Sequence, residues 1–212
     1  MIWQYGVVQE ELKDLRIVVL SSGGIDSSVM LKLLQESDNL LFPLFINYGQ
    51  LAAVSEWKAC KMICRHLNLK PKRMNISGFG NSIPSGITNS TVDVEKEAFL
   101  PTRNLLLLTL GAAYGYVNSA FTIAIGLLSH PIFPDQTPDF VKEAENVIGR
   151  ALGLRIAILA PLISMTKADT IRLAQKHHLP IESTYSCHLG GTNPCGHCIS
   201  CKERIEGEKW LL

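Results

Sequence analysis

Two parts of the sequence combine residue types that could bind a phosphate chain or a metal ion. Residues 20–28 (LSSGGIDSS) bring two adjacent glycines together with serine hydroxyls and one carboxylate. Residues 187–201 hold cysteines at the spacing C-x7-C-x2-C-x2-C. Glycine backbone and hydroxyl groups suit phosphate, whereas clustered thiolates suit a transition metal. The residues concerned are Ser21, Ser22, Gly23, Gly24, Ile25, Asp26, Ser27 and Ser28 in the first part, and Cys187, Cys195, Cys198 and Cys201 in the second.

The glycine-rich run lies between a predicted strand, Arg16–Leu20, and a predicted helix over residues 28–36. Because glycine lacks a Cβ atom, the turn can be tight and can approach a ligand closely. The first amides of the following helix are free, and its dipole favours negative charge. The run therefore predicts a phosphate site, although its spacing is neither that of Walker A nor G-x-G-x-x-G. A tight turn in an ordinary α/β protein, with Asp26 as a helix cap, is the alternative interpretation.

Four thiolates at these spacings can surround one tetrahedral Zn²⁺, because the Gly-Gly turn allows the first cysteine to fold back onto the C-x2-C-x2-C run. A closed four-sulfur site is structural, since it leaves no position for a catalytic water. His188 and His197 are candidate substitute ligands, although we expect them outside the coordination shell. An iron–sulfur cluster is the rival interpretation, but a bacterial cluster run ends in Cys-Pro, and Lys202 follows the last cysteine here.

Strands that alternate with helices connect the two parts, which predicts an α/β fold with a doubly wound parallel sheet. In such a sheet, ligands bind beyond the carboxyl ends of the strands. We therefore expect the glycine loop, Asn47, Tyr48 and the segment after Gly126 to share one crevice with Lys167. Residues 75–93, rich in turn-forming residues, predict a mobile flap beside it. The predicted strands cover residues 16–20, 40–46, 121–126 and 155–160, and the predicted helices cover 28–36, 55–67, 105–116 and 140–151, with another beginning at 164–169.

Two cations stand at predicted helix starts. Arg103 and Lys167 both occupy a first turn, where the helix dipole disfavours positive charge. We therefore expect a negative group, such as a bound phosphate, beside each of them. For Arg103 the alternative is a surface ion pair with Glu95 or Glu97.

Composition indicates one globular domain, with enough residues for a small appendage. The 212 residues are 47% hydrophobic and 18% charged, which is enough apolar material for a sizeable core. Twenty basic and nineteen acidic residues give a net charge of +1, which argues against a large nucleic-acid surface. No signal peptide or membrane span is evident, so we expect a cytoplasmic protein. Cys60 and Cys64, on one predicted helix face, are expected to pack as small hydrophobes.

The glycine run resembles the Ser-Gly-Gly-x-Asp-Ser loop of the PP-loop ATP pyrophosphatases. Together with the cysteines, it resembles the 7-cyano-7-deazaguanine synthase family of the queuosine pathway. The resemblance implies that ATP, cleaved between its α and β phosphates, adenylylates 7-carboxy-7-deazaguanine. Ammonia then gives an amide, and a second activation and dehydration gives the nitrile. Other matching segments are Tyr48-Gly49-Gln50 with Glu56, Pro101-Thr102-Arg103-Asn104, Phe133-Pro134-Asp135, Pro161-Leu162 with Lys167, and Arg204 after the last cysteine.

The resemblance also implies an organisation and roles for individual residues. It implies a PP-loop domain over residues 1–182, a zinc element over residues 183–212, and a homodimer. ATP, Mg²⁺ and a structural Zn²⁺ would be the cofactors. The implied catalytic residues are Asp26, Arg103 and Lys167; the implied substrate-binding residues are Phe133, Asp135 and Arg103; the implied nucleotide-binding residues are Ser21 through Ser28, Asn47 and Tyr48; and the implied metal ligands are Cys187, Cys195, Cys198 and Cys201.

Three segments depart from the family pattern, all on the expected substrate side. Leu51-Ala52 stand where Arg-His is usual, His188 replaces a tyrosine, and the loop over residues 129–137 is shorter and lacks the usual Tyr, Cys and Arg. ATP chemistry is thus more strongly indicated than the identity of the acceptor. Three alternatives stay open: a relative that attaches the deazaguanine to a protein amine in an antiviral system, a tRNA-thiolating enzyme, and a nucleotide-binding module without turnover.

Overall fold

The computed structural model describes residues 13–209. A predicted edge strand within residues 1–14 falls almost wholly outside the described residues. The strands are β1 (Arg16–Leu20), β2 (Leu40–Asn47), β3 (Lys72–Asn75), β4 (Thr122–Ala124) and β5 (Ala157–Leu159). The α-helices are α1 (Ile25–Gln35), α2 (Ala53–His66), α3 (Gly78–Ser82), α4 (Arg103–Val117), α5 (Pro138–Leu152), α6 (Lys167–Lys176) and α7 (Ile199–Lys209), and short 3-10 turns cover Pro134–Gln136 and Ile181–Ser183.

The five strands form one parallel sheet in the order β3-β2-β1-β4-β5. The chain builds outward from β1 through β2 to β3 and then crosses to the other side of β1 for β4 and β5. The strand order therefore reverses at β1, and the carboxyl end of β1 is the switch point at which open α/β sheets bind ligands. The glycine loop follows β1 directly, so the fold brings it to that crevice.

Alternating residues of β1 are buried in two cores, one on each face of the sheet. Ile17 and Val19 pack with residues of α1, α2 and α6, including Ile171. Val18 and Leu20 pack on the opposite face with residues of α4 and α5. Both faces are covered by helices, which confirms the predicted doubly wound sheet and explains why β1 is apolar from Ile17 to Leu20.

A third apolar cluster joins the cysteine segment to residues 83–100. It contains Ile87, Val94 and Leu100 together with three buried cysteines of the C-terminal segment. The amide of Leu51 donates to the Ile87 carbonyl (2.9 Å), which ties residues 83–100 to the start of α2. The segment predicted as a flap therefore includes α3 and a packed apolar contact with the cysteine segment.

Three elements were not predicted: α3, which lies in the segment predicted as a loop, and β3 and α7. The strand β3 is short and largely exposed, and its sequence, Lys-Arg-Met-Asn, lacks the apolar character of a buried strand. The helix α7 begins inside the cysteine run, at Ile199, and only Cys201 and Gly207 within it are buried. Neither sequence carries the apolar periodicity by which the other elements are recognised.

Candidate active site

The glycine loop turns tightly between β1 and α1. Gly23 has φ +83°, a left-handed conformation that glycine adopts without strain, and its carbonyl accepts a hydrogen bond from the Tyr185 amide (3.0 Å). Gly24 is the N-cap of α1, and no side chain caps the helix amides there. The hydroxyls of Ser27 and Ser28 both donate to the Gly24 carbonyl (3.0 and 2.8 Å). The free amide end of α1 therefore faces the crevice and can receive an anion.

A cavity of about 260 Å³ lies over this loop. Of the predicted nucleotide-binding residues, Gly23, Ser28 and Asn47 do not line it. Gly23 packs against α2, and Ser28 is buried against Gly24. The side-chain nitrogen of Asn47 donates to Asn75 Oδ1 (2.8 Å). The predicted residues that line the cavity are Ser21, Ser22, Gly24, Ile25, Asp26, Ser27, Tyr48, Arg103 and Lys167, which come from four separate parts of the chain.

Arg103 begins α4 and lies in this cavity with Tyr48 and Glu56. The alternative ion pair between Arg103 and Glu95 does not form, because the Glu95 carboxylate pairs with Lys202. Burial raises the pKa of Tyr48 to about 12, although the Arg103 charge opposes the shift. Burial likewise raises the pKa of Glu56 to about 7, against a hydrogen bond from Gln50 and the Arg103 charge. Arg103 thus presents its charge to the cavity beside two groups whose protonated forms are favoured by burial.

Lys167, at the start of α6, meets Asp26 of α1 across the crevice. The Lys167 ammonium contacts Asp26 Oδ2 at 2.5 Å, and the Thr170 hydroxyl donates to Asp26 Oδ1 at 2.9 Å. The Thr166 hydroxyl accepts from the Asp169 amide and caps α6, which fixes where Lys167 projects. The negative group expected beside Lys167 is therefore Asp26, and both oxygens of that carboxylate already have one protein partner.

Besides Arg103, the predicted substrate-binding residues are Phe133 and Asp135, and these two lie in different places. Phe133 lines a second cavity of about 170 Å³ and packs against Phe99, with ring centroids 5.1 Å apart. Asp135 lines neither cavity: its carboxylate accepts from the Asn104 amide (3.1 Å), and its carbonyl accepts from the Asn104 side chain (2.9 Å). Asp135 therefore supports the first turn of α4, next to Arg103, instead of facing the cavities.

The second cavity opens beside the first, and the two share Asp26, Arg103 and Lys167 as common walls. Its polar lining includes His130, Gln136 and His188, which come from segments expected on the substrate side. It also includes Ser200 and Glu203, which sequence reasoning did not assign to the site because their placement depends on α7. Their three-residue spacing on a helix was the one available signal.

His188 lies at the boundary of the two cavities. Burial, reinforced by the charges of Arg103 and Lys167, lowers the pKa of His188 to about 4, so the ring is neutral at pH 7. Its Nε2 is 2.8 Å from the Ser200 hydroxyl, and its buried Nδ1 has no partner among the described residues. His188 therefore belongs to the cavity wall and not to the cysteine cluster.

The four cysteines of the C-terminal run come together as one group. Their sulfur atoms lie within 4.8 Å of one another, and those of Cys195 and Cys201 are 3.9 Å apart. Four sulfurs each about 2.3 Å from one tetrahedral ion are roughly 3.8 Å apart, so the group fits a single metal ion. The Cys195 amide donates to Cys187 Sγ (3.3 Å) and the Cys198 amide to Cys195 Sγ (3.4 Å). Burial acts to raise the pKa of Cys195, but backbone donors from Cys198 and His197 lower it to about 6, which favours the thiolate.

The remaining cysteines, Cys60 and Cys64, are buried in the core beneath β1 and β2 at 1% and 0% exposure. A hydrogen bond with Cys64, together with burial, raises the pKa of Cys60 far above its usual range. Inaccessible thiols are poor sulfur carriers. The two residues pack as small hydrophobes, as expected.

A parallel sheet with a glycine loop at its switch point, two cations facing that loop and a four-cysteine group beside it define a protein of the PP-loop class. The model of the family described as "Queuosine biosynthesis protein QueC" matches residues 16–210. A 7-cyano-7-deazaguanine synthase 2 of Desulfitobacterium hafniense (strain Y51) is 33% identical over 205 residues, which is 91% of this chain and 88% of the relative. A 7-cyano-7-deazaguanine synthase of Prochlorococcus marinus (strain MIT 9215) is 30% identical over 220 residues, covering 94% of this chain and 96% of the relative.

The chain therefore belongs to the QueC family. Among solved structures, it is similar to the U34-tRNA thiolase NcsA from Methanococcus maripaludis with its [4Fe-4S] cluster, at a TM-score of 0.54 and 17% identity. That match covers 96% of this chain and 68% of the thiolase. At this identity the likeness shows a shared fold and no more. Within residues 13–209, no helix has the length and apolar character that crossing a membrane would require.

Proposed function

We propose that the chain binds ATP over the glycine loop and adenylylates the carboxylate of 7-carboxy-7-deazaguanine. An amine then attacks the acyl adenylate and displaces AMP. The observation that carries this proposal is the junction of two cavities at Asp26, Arg103 and Lys167. A nucleotide in the first cavity and a carboxylic acid in the second would meet at this junction. Family membership and the names of the relatives support the choice of acid and product.

The residues at the junction fit the demands of this reaction. A carboxylate is a poor electrophile until one of its oxygens becomes part of a leaving group, here AMP. Its attack on the α-phosphorus of ATP builds negative charge on the phosphoryl oxygens and releases pyrophosphate. Arg103, Lys167 and the free amides of α1 can stabilise that charge, which is the kind of preorganised electrostatic stabilisation that lowers such barriers most. The Asp26 pair would hold Lys167 in place before the nucleotide arrives.

Mg²⁺ fits beside Asp26, because each carboxylate oxygen keeps a free lone pair after its bond to Lys167 or Thr170. Bound there with the pyrophosphate oxygens, the ion would neutralise charge on the leaving group. In the cysteine group we propose a structural Zn²⁺. Sulfurs within 4.8 Å of one another enclose one ion, whereas a four-iron cluster has to hold its cysteines further apart.

The experiment that tests the function measures pyrophosphate and AMP release from Mg-ATP with 7-carboxy-7-deazaguanine, with and without ammonium, and identifies the product by mass spectrometry. A nitrile or amide formed with ammonium supports the proposal. Pyrophosphate release that requires a protein amine would move the assignment to the second candidate below. No pyrophosphate release with this acid under any condition would overturn the proposal and favour a module without turnover.

A second candidate, transfer of the activated deazaguanine to a protein amine, has one observation in its favour. A third cavity of about 560 Å³ adjoins the second through Lys167 and Glu203 and runs along α6 to Arg172 and Glu206. Ammonia needs no such approach, whereas a chain terminus carrying an amine does. Mass spectrometry of a candidate partner after reaction, searched for an added deazaguanine acyl group, separates the two candidates.

A further inference from the structure

Glu203 is an acidic residue without a partner on a helix where other glutamates are paired. On α7, Glu208 pairs with Arg204 and Glu206 pairs with Lys209. Within residues 13–209, no hydrogen bond or ion pair engages the Glu203 carboxylate, although its side chain is partly buried and lines the second cavity. Its carboxylate is therefore open to hydrogen-bond donors of a molecule bound in that cavity.

The charges around Glu203 do not satisfy it. Lys167 and Asp26 are the charged groups that act on it electrostatically, and Lys167 is already paired with Asp26. His130, which also lines the cavity, has its Nδ1 against the Ser129 hydroxyl (2.9 Å). No described cation therefore lies free beside Glu203 to serve as its partner.

The second cavity combines apolar, cationic and anionic lining residues. Its apolar lining comes from Leu128, Ile132, Phe133 and Ile199, which are suited to the faces of an aromatic ring. The cations that the two cavities share also line it and suit an anion. Glu203 adds an acceptor to the same lining, which can serve an N–H edge of such a ring.

We propose that Glu203 sets substrate specificity by accepting two hydrogen bonds from a 2-aminopyrimidinone edge, one from the ring N–H and one from the adjacent exocyclic amine. The inference rests on the proposed function and names the group that would recognise the heterocycle of its substrate. Two parallel N–H donors match the two oxygens of a carboxylate, as the guanidinium fork of arginine does. A ring that lacks the exocyclic amine offers only one of these donors.

The test compares Glu203→Gln with Glu143→Gln, an exposed control on α5 that lines none of the three cavities. Each variant and the wild type are assayed for pyrophosphate release with 7-carboxy-7-deazaguanine and with the analogue that lacks the 2-amino group, and binding of both acids is measured by calorimetry. Glu203→Gln should lower kcat/KM for the full substrate by about 10- to 100-fold, the usual effect of losing a charge-assisted hydrogen bond. The wild type should lose a similar factor with the analogue, and the Glu143 variant should match the wild type throughout.

The decisive quantity is the preference for the 2-amino substrate. If Glu203 contacts the 2-amino group, Glu203→Gln should discriminate less than the wild type between the two acids. Changing the side chain and removing the amino group would then delete the same interaction. An equal loss on both acids, in activity and in binding, would overturn the inference and indicate a structural role. An active wild type with an unaffected Glu203 variant would overturn the inference alone. A wild type that neither binds nor activates the acid would overturn the proposed function and the inference with it.

Discussion

Gly23→Ala is expected to destabilise the protein and to weaken ATP binding by its glycine loop. A Cβ atom placed on Gly23 would lie 2.5 Å from both the Cys60 amide nitrogen and the Glu56 carbonyl oxygen. That is roughly 1 Å closer than the ~3.5 Å at which non-bonded contacts become favourable. Both atoms belong to the backbone of α2, which is packed in the core, so the clash cannot be relieved by turning a side chain.

Two costs add at this position. The left-handed conformation, φ +83°, costs a residue with a Cβ atom about 1–2 kcal/mol, and overpacking against α2 adds about 1–3 kcal/mol. The free energy of unfolding should therefore fall by about 2–5 kcal/mol. For a chain of this size that corresponds to a loss of roughly 4–20 °C in Tm. Since the loop must shift to relieve the clash, ATP affinity should fall as well.

Gly153→Ala is the matched control. Gly153 also has a left-handed φ, +66°, but no atom lies within 4 Å of the position that its Cβ would take, so only the conformational cost applies. Gly24→Ala is a second comparison, because its φ is −78° and its nearest contacts are 3.4 and 3.5 Å. Urea unfolding and ATP-binding calorimetry of the three variants test the reasoning. If Gly23→Ala is no less stable than Gly153→Ala, the loop is not held rigidly against α2.

Three further changes have defined outcomes. Asp26→Asn should reduce pyrophosphate release by about 100-fold or more while the fold survives, because Lys167 loses its partner at the junction; wild-type rates would contradict this role. Cys198→Ala should lose bound zinc, measured by elemental analysis, and lower Tm; full zinc content would contradict the ligand assignment. Glu56 has its pKa raised from 4.5 to about 7, so the folded state favours its protonated form. The free energy of unfolding that depends on Glu56 is therefore highest below pH 4.5. It falls by up to about 3 kcal/mol as the pH rises from 4.5 through 7. Glu56→Gln should flatten urea-unfolding stability over that range, and an unchanged slope would refute the shift.

The elements that could be predicted are those whose own residues dictate their structure. β1 is a run of buried β-branched and aliphatic residues from Ile17 to Leu20, and the glycine loop after it needs a left-handed residue that only glycine supplies without strain. The expectation that the glycine loop, Tyr48 and Lys167 share one crevice followed from the rule that ligands bind beyond the carboxyl ends of parallel strands. β3 could not be found, because an exposed edge strand has no apolar signal and is defined only by its pairing with β2.

Residue roles were harder to predict, because they depend on side-chain direction within the tertiary structure. Asp135 immediately precedes Gln136, which lines the cavities, yet its own carboxylate accepts a hydrogen bond from the Asn104 amide in the first turn of α4. Asp26 was expected to serve phosphates or Mg²⁺, and the proximity of α6, 141 residues later, gives it Lys167 as a partner. Glu203 faces the second cavity only because of the rotation of α7, whose start the cysteine pattern had obscured.

The cysteine element is best understood as a wall of the site and not as a separate domain. The Tyr185 amide donates to the Gly23 carbonyl of the glycine loop, and the Ser55 hydroxyl of α2 donates to the Gly191 carbonyl (2.9 Å). Between the first and last cysteines lie His188 and Ser200, which line both cavities. A metal held by the four thiolates would fix the loop that carries His188 relative to the helix that carries Ser200. We therefore propose that residues 183–209 depend on the parallel sheet and its helices for their position, and that metal removal opens the second cavity before it unfolds the parallel sheet.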